Sequence, residues 1–342
     1  MQDPEPFRRE LLSWFGRYQR DLPWRRTRDP YAIWLSEIML QQTRVAAVIP
    51  YFQRFLARFP TVKALAEAPE ADLLAHWAGL GYYYRARNLQ KAAQAIMKAG
   101  EFPASHEALL KLPGIGDYTA AAIASIAFDL PHAVVDGNVF RVLSRVFADR
   151  TNIASPAGKK HFARLAEEVL DRENPAAFNQ AMMELGATIC LPKAPQCLLC
   201  PVAFCCKARE QNHATELPVK IVDRRSHKIE RTLYWIERGD GVLGWQRPKD
   251  SRLMPGFWEL PEHDQLPAAV AGEALGEFKH GITIYDYRFQ ILSANVPDEP
   301  GVCQWLSVEQ LKELPLSTIF RKAIRVVRNQ NKKVRVQTSS SR

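Results

Sequence analysis

Residues 105–128, SHEALLKLPGIGDYTAAAIASIAF, constrain the fold more tightly than any other stretch of the chain. Ser105 starts a short helix that reaches about Lys111, and a second helix runs from about Asp117 to Phe128. Between them, Pro113 cannot continue a helix, and Gly114 and Gly116 permit a tight turn with positive φ. Leu109 and Leu112 before the turn, with Ile115, Ala122, Ile123 and Ile126 after it, make a packed hairpin. Backbone N–H groups in such a turn, beside a helix start, suit a phosphate oxygen. An ordinary helix–helix connection closed by glycine is the simpler reading of the same residues.

Helical periodicity dominates the first two-thirds of the chain. It predicts helices near 5–19, 30–41, 43–58, 61–67 and 70–77, another ending at about Ala99, and further ones near 138–148, 155–172 and 174–189. Asp29-Pro30, Ser155-Pro156 and Asn174-Pro175 are good helix starts. Residues 1–213 are therefore expected to form an all-α domain. Residues 214–228 cluster charge without an apolar period and read as a linker. Beyond them, Thr232–Arg238 and Val242–Arg247 are strand-like runs split by Gly239-Asp240-Gly241, a hairpin signal. Residues 282–292 alternate Thr283, Tyr285, Tyr287, Phe289 and Ile291, and helical patches are predicted near 265–275, 307–313 and 317–328. Residues 229–328 thus read as a smaller α+β domain, and the basic, Ser-rich end, 329–342, as a disordered tail. Two domains suit a chain of 342 residues.

Lys and Arg number 46 against 37 Asp and Glu, a net charge of +9 that favours a polyanionic partner, nucleic acid before membrane. No run approaches the roughly 20 apolar residues that cross a bilayer, and the polar N-terminus does not resemble an export signal. A cytoplasmic, nucleoid-associated protein is expected. Five of the six cysteines lie between Cys190 and Cys206, which points to metal rather than disulfides. Cys190, Cys197, Cys200 and Cys206 give C-x6-C-x2-C-x5-C, and four thiolates on one loop can hold a tetrahedral metal or an iron–sulfur cubane. Spacing alone does not separate the two, and Cys205 competes for the fourth position.

Two carboxylates carry a second signal. Glu37 shares a helix face with Ile33, Trp34 and Leu40. Burial on that apolar stripe would raise its pKa and suit it to general-acid work near neutral pH. An edge-of-core glutamate with its head in water is the plainer alternative. Asp136, in Val135-Asp136-Gly137-Asn138, follows an apolar run and is placed to cap the helix that begins near Asn138.

The hairpin, Ser36-Glu37-Ile38-Met39-Leu40-Gln41-Gln42-Thr43, Val134-Val135-Asp136-Gly137-Asn138 and the cysteine spacing together resemble the adenine DNA glycosylases of the endonuclease III, or helix-hairpin-helix, superfamily. The resemblance covers about residues 6–325. It implies a multidomain protein: an all-α helix-hairpin-helix glycosylase domain with an iron–sulfur cluster loop at 190–206, plus a C-terminal α+β Nudix-like domain matched best at Met254–Pro261. It implies one [4Fe–4S] cluster on Cys190, Cys197, Cys200 and Cys206. It assigns the catalytic acid to Glu37 and the stabiliser of sugar cation to Asp136, with Tyr118 and Asn138 assisting.

Lyase relatives carry a nucleophilic lysine where this chain has Tyr118, so a monofunctional enzyme is implied. The hairpin glycines Gly114 and Gly116 are expected at a DNA phosphate. Trp24, Arg25 and Gln180 resemble residues around the flipped adenine, and Arg20 one that supports the acid. Gln42, Thr43, Leu80 and Tyr82 resemble residues that reach the opposite, oxidised guanine and wedge the gap. Tyr83 and Tyr84 also fit an aromatic core patch. Phe278-Lys279-His280 corresponds to a Phe-Ser-His loop that checks the opposite base, with lysine in place of serine. No Arg-Glu-x-x-Glu-Glu run follows Pro261, so pyrophosphatase activity is not expected.

The implied substrate is double-stranded DNA bearing A·8-oxoguanine or A·G, bound by a monomer with no membrane association. An endonuclease III-like lyase, a Nudix nucleotide hydrolase and a non-catalytic iron–sulfur DNA-binding module are the competing classes.

Overall fold

The computed structural model describes residues 3–222, 227–248, 250–251, 254–282, 285–296 and 301–339, with side chains as far as Gln330. The chain divides into two compact units, Met1–Val222 and Asp223–Arg342.

The first unit is helical: α1 (Glu5–Tyr18), α2 (Pro30–Leu40), α3 (Val45–Arg58), α4 (Val62–Ala66), α5 (Glu70–Trp77), α6 (Tyr84–Ala99), α7 (His106–Leu109), α8 (Asp117–Phe128), α9 (Gly137–Val146), α10 (Pro156–Val169), α11 (Pro175–Thr188) and α12 (Lys207–Glu210). The starts are chemically marked. Asp29, Ser105, Asp136 and Ser155 each accept a backbone N–H of the first turn with a side-chain oxygen. Two apolar cores result. One joins α2, α3, α5, α6 and α8 through Trp34, Phe55, Trp77, Leu89 and Ile123. The other joins α1, α9, α10 and α11 through Phe7, Leu143, Phe162 and Phe178. Helix α8 is almost wholly enclosed, which its alanines allow at close helix spacing. Gly114, at φ +79°, makes the hairpin turn, and a Cβ there would meet the Asn88 side chain at 2.8 Å. That close approach, as well as the left-handed backbone, requires glycine.

The second unit holds two sheets. In the first, β1 (His227–Trp235) runs parallel to β6 (Tyr285–Asn295), which pairs antiparallel with β5 (Val270–Ile282). In the second, β3 (Gly241–Gln246) pairs antiparallel with β2 (Glu237–Arg238), β4 (Trp258–Glu259) and β7 (Cys303–Leu306). Helices α13 (Gln310–Glu313) and α14 (Thr318–Ser339) complete it. Phe320, Ala323 and Val327 of α14 bury against Phe289, Ile291 and Leu316.

Four expectations are corrected here. The helical patch at 265–275 enters strand β5, where β6 supplies backbone partners that outweigh the helix propensity of its alanines, glutamate and leucine. Of the expected linker, residues 214–222 pack on the helical unit: Leu217 is buried, its carbonyl accepts from Arg145, and Ile153 N–H reaches Val219 O. Residues 227–228 belong to β1, and 223–226 lie outside the described residues. Of the tail expected to be disordered, 329–342, residues 329–339 continue α14, and 340–342 lie outside the described residues. Phe278-Lys279-His280 lies within strand β5, not in a loop; the β5–β6 connection, 283–284, is outside the described residues.

Candidate active site

The site lies where the two helical cores meet. A cavity of about 430 Å³ is lined from α2 by Glu37, from α8 by Tyr118, from the start of α9 by Asp136 and Asn138, and from α11 by Gln180 and Glu184. Arg20, Trp24, Arg25, Gln42 and Thr43 complete its wall. Most of the residues expected around an adenine therefore meet in one place, although they come from five separate segments.

Glu37 is buried, 5% exposed. Its Oε2 accepts a 2.6 Å hydrogen bond from the Tyr118 hydroxyl. Burial lifts its pKa to about 7; the Tyr118 hydrogen bond opposes the rise, and the negative charge of Asp136 adds to it. Burial also raises the Tyr118 phenol, with Glu37 adding to the effect, so Tyr118 stays a neutral donor.

Asp136 is both a helix cap and a pocket residue. Its Oδ1 accepts from Val139 N–H at 2.7 Å and its Oδ2 from Asn138 Nδ2 at 2.8 Å. Burial raises its pKa, and these two donors pull it back down. Asn138 is held in turn by Arg141 Nη2, which donates to its Oδ1 and to Gly186 O at 2.8 Å each. A Cβ at Gly186 would come within 2.5 Å of Asn138 Cβ, so α11 approaches the start of α9 only because that residue is glycine.

Arg20 and Arg25 meet on Glu184, which is fully buried, at 2.7 and 2.8 Å. Despite its burial, the two guanidinium groups hold the Glu184 carboxyl down at about 2. Glu184 and Arg141 were missed by sequence reasoning: an acid mid-helix and a lone arginine give no local signal of partners this distant. Trp24 is 7% exposed and packs edge-on against Phe52, so it forms the pocket's floor more than an open stacking face.

Outside the cavity, Leu80 is buried, whereas Tyr82 is 54% exposed, set on left-handed backbone at φ +47°. Tyr84 is exposed and only Tyr83 packs on the core, so the core-patch alternative holds for one of the two. Gly116 caps α8, and among the described residues no atom beyond its chain neighbours lies within 4 Å of where a Cβ on it would sit. In the second unit, Phe278 stacks on Phe289 at 5.2 Å. Lys279 is exposed, and His280 Nδ1 lies 3.2 Å from Lys322 Nζ.

The thiols of Cys190, Cys197, Cys200 and Cys206 line one small space beside Arg145. Cys205 turns away, with its Sγ on Val202 O and its side chain against the helical core. Arg145, 1% exposed, clamps the loop through Cys190 Sγ and O, Leu191 O and Pro192 O. Among the described residues no three His, Cys, Asp or Glu side chains converge as a single metal ion would require.

Residues 35–172 match the profile described as HhH-GPD superfamily base excision DNA repair protein. The adenine DNA glycosylase of Rattus norvegicus is 35% identical over 95% of this chain and 78% of its own length. The chain belongs to the adenine DNA glycosylase family. Membership makes it an enzyme of base excision repair, a DNA glycosylase whose target base is adenine. The human adenine DNA glycosylase is 34% identical over 95% of this chain and 74% of its own. That of Buchnera aphidicola (strain Bp) is 40% identical over 67% and 65%.

Among solved structures, a thermostable thymine-DNA glycosylase superposes with a TM-score of 0.55 at 29% identity, covering 61% of this chain and 97% of its own. An endonuclease III in a DNA complex gives 0.52 at 24% identity, over 62% and 99%, a likeness of fold. Among the described residues no helix is long and apolar enough to cross a membrane.

Proposed function

We propose that this adenine DNA glycosylase removes adenine opposite 8-oxoguanine or guanine in double-stranded DNA, with Glu37 as the acid. The observation that carries the reading is the environment of Glu37. A carboxyl with a pKa of about 7 keeps a proton to give at neutral pH, and it faces a cavity large enough for a base that has left the stack. The flipped adenine enters the cavity over Trp24 and is bounded by Arg25 and Gln180. Glu37 gives its proton to N7, and Tyr118 holds the carboxyl in place. The C1′–N9 bond then breaks, with its electron pair leaving on adenine. Positive charge develops on the sugar opposite Asp136, whose ionised form the N–H donors of Val139 and Asn138 favour. Water adds at C1′ and returns a proton to Glu37, leaving an abasic site. Tyr118 offers no amine to attack the sugar, so the strand is not cut.

Backbone N–H groups at Gly114–Gly116 would take a DNA phosphate, while Tyr82, with Gln42 and Thr43, would reach the opposite base. The four thiols that share one space would hold a [4Fe–4S] cluster, the group implied by the likeness of this cysteine spacing to that of the family. The cluster would order a loop bearing Lys193, Lys207 and Arg209, and Cys206 rather than Cys205 would complete it. The second unit is assigned a Nudix-like role in checking the base opposite adenine. There the exposed Lys279 and half-buried His280 offer donors, while Phe278 is committed to the core.

Glu37→Gln tests the reading directly. Adenine release should fall at least a thousandfold while duplex affinity stays within a few-fold. Retained release would remove Glu37 from the chemistry, and joint loss of release and binding would make it a structural residue.

A further inference from the structure

Arg85 is a charged side chain 3% exposed with no carboxylate partner among the described residues. Its two terminal nitrogens donate to backbone carbonyls, while its buried Nε has no hydrogen-bond partner among the described residues. Nη1 donates to Ile38 O at 2.8 Å, Met39 O at 3.3 Å and Gln41 O at 2.6 Å, all at the end of α2. Nη2 donates to Leu80 O at 3.1 Å and Gly81 O at 3.3 Å, in the loop before α6. The group also lies over the Trp77 and Tyr82 rings, at 5.4 and 5.5 Å. A cation suits the unpaired carbonyls of a helix C-terminus, but one cation serving two segments does more than cap.

The two segments share an unusual feature. Gln42, immediately after the Gln41 carbonyl, has φ +60°, and Tyr82, immediately after the Gly81 carbonyl, has φ +47°. Both are non-glycine residues on left-handed backbone, a conformation that persists only where the surroundings impose it. One guanidinium holds the carbonyl before each. Trp77 Nε1 adds a second donor to Gly81 O at 3.0 Å, and Tyr51 occupies the place where a Cβ on Gly79 would sit. The loop is therefore braced from beneath, with Tyr82 the outward part.

We infer that Arg85 is a positioning residue that locks the Tyr82 loop to the end of the helix carrying Glu37. Pressure on Tyr82 from an opened base stack is passed through Gly81 O and the guanidinium to Gln41 O, and so to Gln42, Thr43 and the last turn of α2. The inference rests on the proposed role of this site, and it makes wedge insertion and placement of the acid one event.

The test is single-turnover adenine release from an A·8-oxoguanine duplex by the cluster-loaded full chain carrying Arg85→Lys, Tyr82→Ala, or both. Lysine keeps the charge but cannot span both segments. Arg85→Lys should slow release at least tenfold, and the double variant should lie within about twofold of the slower single, because both changes break the same link. Effects that multiply would overturn the inference. Should Arg85→Lys fail to fold, hydrogen exchange of free Tyr82→Ala decides: faster exchange over residues 38–43 supports the link, and unchanged exchange overturns it. Wild-type protein that releases no adenine would instead sink the proposed function, and the exchange measurement would still judge Arg85.

Discussion

Replacing Glu37 with glutamine should make the protein more stable, and increasingly so as pH rises. Inside the fold the Glu37 pKa climbs from 4.5 to about 7 because the carboxyl is buried. At about 1.4 kcal/mol per tenfold change in proton affinity, ionised Glu37 is about 3 kcal/mol less favourable in the folded chain than in the unfolded one. The sign follows from a raised carboxyl. Below pH 4.5 the group is protonated in both states and costs nothing. Between 4.5 and 7 the unfolded chain ionises first, and stability drains away. Above 7 the loss is complete. Glutamine does not titrate, and its amide oxygen can still accept from Tyr118. The gap in melting temperature between Glu37→Gln and wild type should therefore widen by roughly 6–12 °C from pH 4.5 to 7.5, at about 2–4 °C per kcal/mol for a unit of this size. The assay is a thermal melt of both cluster-loaded proteins across that range, reading the transition of the helical unit. A gap that stays constant with pH would refute the argument, because it would mean that Glu37 titrates as an ordinary exposed glutamate.

Tyr118→Phe removes a hydrogen bond that favours ionised Glu37, so the alkaline limb of the single-turnover rate should move above pH 7; a limb that stays or moves down would contradict the assignment. Glu184→Ala leaves Arg20 and Arg25 without their buried counter-charge and should cost about 3–5 kcal/mol by denaturant unfolding. Because the Glu184 carboxyl sits at about 2, its contribution in wild type should persist above pH 4.5 and fade as pH falls toward 2. Cys206→Ser should lower iron content and the visible absorbance of purified protein, whereas Cys205→Ser should leave both near wild type; the reverse pattern would exchange the two cysteines' roles.

Much of the helical unit was legible because its signals are local. Ser105, Ser155 and Asp136 announce helix starts through side-chain oxygens that do cap them. The Asp117–Phe128 helix needed only its apolar period and the turn before it. Glu37 was legible as an acid on an apolar face, and the structure buries it.

What was hidden depends on long-range pairing. Glu184 reads as a surface acid until folding brings Arg20 and Arg25 to it, 164 and 159 residues away. Arg85 looks like one more basic residue in Tyr-Arg-Ala-Arg until five carbonyls close around it. The error at 265–275 has the same origin. Ala271, Ala274 and Leu275 favour a helix in isolation, and only β6 alongside makes them strand. Leu217 falls in a stretch without apolar period, yet Arg145 holds its carbonyl against the helical unit.

The most direct measurement is single-turnover adenine release from three duplexes that differ only in the base opposite adenine: 8-oxoguanine, guanine and thymine. Alkali-labile sites are read with and without the alkali step. The account predicts release from the first two, none from the third, and strand scission only after alkali. Equal release opposite thymine would contradict mismatch recognition, and scission without alkali would contradict the hydrolytic role assigned to Glu37 and Tyr118.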